Sequence, residues 1–139
     1  MFAQTFTKGL DQLVPLVSAN ATLVSATPIQ LMCASLCQYP DGDSEVVTID
    51  PAFHQPILRY VSLSAPGYPT AACFMGVASV AIYQQALRSL RYTNTRGSPT
   101  PGQRAAIVEV YNGLAGNSVP SAYSLLSVSI RNAPPTVSV

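Results

Sequence analysis

The chain has 139 residues with seven basic and six acidic side chains, a formal charge of +1; 48% of the residues are hydrophobic and only 9% are charged. That length suits one domain with one core, and the charge lies far below the roughly 25% of an ordinary globular domain, so much of the surface is expected to face other protein, in an oligomer or a shell. No apolar run approaches the ~20 residues of a spanning helix.

Twelve prolines and eight glycines cut the chain into short pieces, which favours strands. "FAQTFTKG" and "LDQLVPLVSANATLVSA" read as a leading hairpin or pair of strands. The opening residues lack the basic start and apolar core of a signal peptide, and the sequon Asn20-Ala21-Thr22 is taken as chance. Residues 29–39, "IQLMCASLCQY", form a continuous apolar strand. "PDGDS" follows, with Asp41-Gly42 a strong hairpin signal, and its acidic residues Asp41, Asp43 and Glu45 read as a solvated turn with too short an oxygen ladder for calcium. A short strand spans 45–49, a loop 50–56, a strand 57–65 and a loop 66–76.

Residues 77–92, "VASVAIYQQALRSLRY", fit two patterns. As a helix they align Val80, Tyr83, Leu87 and Leu90; as a strand they begin β-rich and end in alternation. A loop over 93–102 follows. Thr100 and Gln103 then match a capping box with Pro101 at the first helical position, and Ile107, Val110, Tyr111 and Leu114 make one apolar stripe, so a helix is predicted over 101–114. Gly113 and Gly116 would stop it. Residues after 118 suit either a helix through Tyr123, Leu126 and Ile130 or a strand in which Leu126, Val128 and Ile130 alternate with polar residues.

Catalytic constellations are missing from the pattern. His54 stands alone in a loop, no Gly-rich phosphate loop exists, and no cofactor, metal or small-molecule substrate is implied; the chain reads as a non-enzyme. On a strand, Cys33 and Cys37 stand about 13 Å apart, too far to bridge, and read as buried small hydrophobes. Cys73, in the 66–76 loop, is a candidate for a bond between subunits.

Two stretches, "IQLMCASLCQ" (29–38) and "AAIVEVYNGLAGNSVPSA" (105–122), resemble the central strand and the first helix with its following loop in coat proteins of the single-stranded RNA bacteriophages. "VAIYQQALRSLRYTN" (80–94) is similar to the long last strand before that helix, which tips 77–92 toward strand. The resemblance implies an α+β fold in one domain over 1–139: an N-terminal β-hairpin, a five-stranded antiparallel sheet within a β-rich region spanning 1–92, and C-terminal helices over 100–131 that pack across a dimer partner. It implies a virion protein, assembled in the host cytoplasm, whose dimers build an icosahedral shell around single-stranded RNA, with no membrane partner. Carried over by position, Ser35, Arg59, Tyr83 and Gln85 would meet RNA on the inner sheet face, with Arg88 and Arg91 as phosphate contacts. Leu31, Cys33 and Cys37 stand on that face where polar residues would be expected, which points to general RNA contact. Two other classes fit the pattern: a jelly-roll capsid protein of a small plant or satellite virus, with a strand over 121–131, and a bacterial adhesin or pilus-like subunit.

Overall fold

The computed structural model describes residues 2–112 and 118–130. Nine strands of these residues join in one sheet: β1 (Phe2–Lys8), β2 (Val14–Pro15), β3 (Ile29–Leu36), β4 (Glu45–Ile49), β5 (Arg59–Ala65), β6 (Tyr68–Ala78), β7 (Leu90–Asn94), β8 (Gly102–Tyr111) and β9 (Ser118–Ile130). A helix, α1 (Val80–Arg88), interrupts them. The spatial order is β1-β9-β8-β3-β6-β4-β7-β2, with β5 added against β6.

Most ladders are antiparallel, but β1 runs parallel to β9 and β4 parallel to β6. The sheet curls far enough for its ends to meet. Phe6 of β1 packs edge-on against Tyr92 of β7 at 5.3 Å, and Lys8 Nζ donates to the Asn94 carbonyl at 2.9 Å. The enclosed face holds the core, with Met32, Ala34 and Leu36 of β3, Ala72 and Phe74 of β6, and Ala106 and Val108 of β8 all buried. Each set has the two-residue period of a strand with one face inward.

This architecture corrects the expected fold. Among the described residues there is no five-stranded antiparallel sheet followed by packed helices. The first two strands do not pair with each other as a hairpin; β1 joins β9 and β2 joins β7. Asp41-Gly42 does make a tight turn, a 3₁₀ turn at Gly42–Ser44, yet β3 and β4 are not hairpin partners, because β3 pairs with β6 and β8. The expected loop 66–76 is mostly strand β6, entered through a turn at Gly67, whose φ is +81°.

The sharpest reversals concern the two ambivalent segments. Residues 80–88, tipped toward strand, form α1. Ser79 caps it, its Oγ accepting from the Ile82 N–H at 3.4 Å, and Tyr83, Ala86 and Leu87 bury one stripe. Residues 102–111, expected to be helical, form β8. Its buried residues Arg104, Ala106 and Val108 alternate with more open ones, and Thr100 is not a helix cap: its backbone N–H and hydroxyl both donate to Asp41. A cap is worth about 0.5–2 kcal/mol, whereas a full ladder on both edges and a buried ion network outweigh it. Residues 118–130 are strand, against the second helix the phage resemblance implied. Leu114, Gly113 and Gly116, which belong to the helical signal, lie outside the described residues.

Candidate functional site

A buried ionic cluster closes one end of the core. Arg104 on β8 donates from Nε to Glu45 Oε1 at 2.7 Å, from Nη2 to Asp41 Oδ2 at 3.0 Å and from Nη1 to the Gly102 carbonyl at 3.0 Å. All three ionic side chains are fully buried. Tyr92 Oη donates to Glu45 at 2.7 Å, Asn94 Nδ2 donates to Asp41 at 2.9 Å, and Arg96 reaches Asp41 from the surface at 3.1 Å. Burial pushes the Asp41 carboxyl up, but hydrogen bonds from Thr100 and Asn94 and the charge of Arg104 outweigh it and hold the group below its ordinary value of 3.8. Burial, with the bond to Glu45, pushes the Tyr92 phenol well above its usual range. Each buried side-chain nitrogen and oxygen of the cluster has a hydrogen-bond partner, so the cluster forms a satisfied polar network that ties β8, β7 and the 41–45 turn together. The expected solvated acidic turn is thereby corrected: of its three acids only Asp43 is exposed.

A shallow groove of about 300 Å³ lies beside α1, lined by Asp50, Phe53, Gln85, Arg88 and Arg91 among others. Arg91 donates from Nη2 to Asp50 at 3.2 Å and from Nη1 to the carbonyls of Arg88 and Leu90. Arg88 donates from Nε to the Ala21 carbonyl at 2.9 Å, and its two terminal nitrogens have no partner among the described residues. Phe53 stands edge-on to Phe74 at 5.8 Å and is half-buried. Chemically the groove offers an open guanidinium fork next to an aromatic wall.

The outer face of β8, β3, β6 and β5 is the third feature. Ladder registers set its outward side chains in rows: Arg59, Met75, Leu31 and Tyr111 in one, Val61, Cys73, Cys33 and Glu109 in the next. Cys33 and Cys73, directly opposite across β3 and β6 with Cα atoms 4.1 Å apart, are joined in a disulfide in which Cys73 is buried and Cys33 half-buried. Met75, Leu63 and Val77 are 43%, 52% and 62% exposed. Among the described residues β5 is paired on one side only, with β6. The charged side chains of this face are Arg59, exposed, and Glu109, which accepts from the Tyr111 hydroxyl at 2.9 Å.

The six candidate RNA contacts are therefore not on one sheet face. Ser35 and Arg59 stand on the outer face. Tyr83 is fully buried and its hydroxyl donates to the Gly76 carbonyl at 2.6 Å, so it has no surface on which to stack a base. Gln85, Arg88 and Arg91 do come together, at the groove. Cys73 is on β6 and bonded within the chain, while Cys37, expected to be buried, is an exposed free thiol.

Sequence reasoning missed Phe53, Asp50 and Glu109, and no local signal marks them. The Cys33–Cys73 pair had no signal in the sequence, because Cys73 was expected in a loop and as a bond between subunits. Among the described residues no His, Cys, Asp and Glu group could hold a metal ion, and no helix is long and apolar enough to cross a membrane. A scan of protein-family models, a search of curated proteins and a search of solved structures each returned no match to this chain.

Proposed function

We propose that the protein is a structural virion subunit that assembles with copies of itself into a shell around single-stranded RNA. The observation that carries this reading is an outer sheet face on which Met75, Leu63 and Val77 lie exposed, in a chain of which only 9% is charged. Isolated apolar side chains are ordinary on a monomer, but a contiguous sheet face bounded by a free strand edge is a surface for other protein. The reading does not depend on the phage-type fold, which this chain lacks.

RNA contact is assigned to the groove. The free terminal nitrogens of Arg88 suit a phosphate oxygen pair, Gln85 adds an amide at the rim, and the Phe53 ring offers a wall for a base. With a formal charge of +1 per chain, affinity has to come from such local patches, summed over many copies.

An all-β capsid subunit of the jelly-roll kind is the second reading. The specific observation in its favour is that 118–130 is a strand.

Expression of this chain alone in bacteria tests the proposal. Uniform particles in electron micrographs, with a 260/280 nm absorbance ratio above that of pure protein, are the expected result. Arg88→Ala should lower that ratio while particles still form. A monomer at micromolar concentration by light scattering would overturn the reading.

A further inference from the structure

The outer face is polarised in a way that fits one partner. Arg59 stands on β5 at one side and Glu109 on β8 at the other, three strand spacings or about 14 Å apart. Between them lie Met75, Leu31, Val61 and the Cys33–Cys73 disulfide, none charged. Arg59 has no ion-pair partner among the described residues. Neither a general apolar ligand nor an acidic or basic protein complements such a face as well as its own image does.

Resting on the self-association proposed above, we infer that the outer faces of two copies pack against each other about a two-fold axis that runs along the strands between β3 and β6. That operation exchanges β5 with β8 and β6 with β3. It carries Arg59 of one copy over the row of Tyr111 in the other, one alternate position, about 7 Å, from Glu109. A long arginine side chain spans that offset, and the roughly 30° rotation between packed sheets brings neighbouring rows together. By symmetry two Arg–Glu pairs form, one at each side, over an apolar centre of Met75, Leu31 and Val61 from each copy. The interface is isologous: each copy supplies the cation for one pair and the anion for the other. Charge at the two sides fixes the orientation, since a copy turned end for end leaves both ions unpaired.

Sedimentation velocity on four forms of the full chain tests this assignment: the parent, Arg59→Glu, Glu109→Arg and the double exchange Arg59→Glu/Glu109→Arg. Each single variant sets like charges opposite each other at both sides of the interface and should weaken dimerisation by at least roughly tenfold. The double exchange should restore it, and so should an equimolar mixture of the two single variants, in which every pair is again opposite in charge. Circular dichroism checks that the variants are folded. Leu63→Asp, at an exposed position of the same face, provides a second disruption that neither the exchange nor the mixture reverses. If the parent associates and the single variants associate equally well, or if neither the exchange nor the mixture restores the loss, this face is not the interface while self-association stands. If the parent is a monomer at micromolar concentration, self-association fails and the inference with it.

Discussion

Replacing Arg104 by methionine removes the fully buried cation of the cluster and leaves two buried carboxylates behind it. The magnitude follows from what each acid retains. Asp41 keeps Arg96, Thr100 and Asn94; Glu45 keeps only the Tyr92 hydroxyl and the Asp41 N–H. Two bonds to carboxylates are lost, at about 1.5–3 kcal/mol each, besides the one to the Gly102 carbonyl; the sum agrees with the roughly 3–5 kcal/mol typical when one partner of a buried pair is deleted. Against a total stability of about 5–15 kcal/mol, that is roughly a fifth or more of what holds the fold. The assay is urea unfolding followed by circular dichroism or by the seven tyrosines, since the chain has no tryptophan. A buried carboxylate without a cation takes up a proton instead of staying charged, so the deficit should shrink between about pH 7 and pH 5. Glu45→Gln added to Arg104→Met should recover some of the loss by removing the orphaned charge. A deficit under about 1 kcal/mol at neutral pH would refute the claim that a desolvated ion network supports this end of the core.

Three further outcomes are expected. The Cys33–Cys73 bond closes a 40-residue separation, so Cys33→Ser should lower stability by up to about 4 kcal/mol on loop-entropy grounds; alkylation without reductant should label Cys37 alone in the parent, and labelling of all three thiols would contradict the pairing. Stability should fall at both ends of the pH scale. Asp41, held below its ordinary 3.8, contributes stability that is present above that value and lost as pH falls through its lower folded value. Tyr83, pushed by burial up to about 12, contributes stability that is complete below its ordinary value of 10.0 and lost as pH rises toward 12. Thermal melts that stay flat from pH 8 to 12 would contradict the burial of Tyr83. Gly76→Ala should destabilise by more than about 1 kcal/mol, because Gly76 has φ +125° and an added Cβ would stand 2.9 Å from the Ile57 carbonyl oxygen; a melting temperature equal to the parent's would count against that backbone geometry.

What the sequence by itself determined were the elements whose pattern has one solution. Strands over 29–39, 45–49 and 57–65 are there as β3, β4 and β5 because short apolar runs bounded by proline, glycine and aspartate satisfy their backbone best as strands. Residues 80–88 and 102–111 have no such single solution. Each places apolar residues so that either a period of 3.6 or a period of 2 buries one face, and local signals such as the Thr100–Gln103 capping box shift the balance by only a kcal/mol or two. The decision lies in contacts far along the chain. Arg104 reaches its two carboxylates from an extended backbone, across separations of 59 and 63 residues, and Thr100 satisfies Asp41 instead of a helix end. The groove was half visible, in Gln85, Arg88 and Arg91, but Tyr83 of the same segment went into the core because α1 turns it inward. The pairing of β1 with β9 and of Cys33 with Cys73, and the placing of Arg59 and Glu109 on one face, depend on strand register, which tertiary packing sets and a single chain's periodicity cannot express.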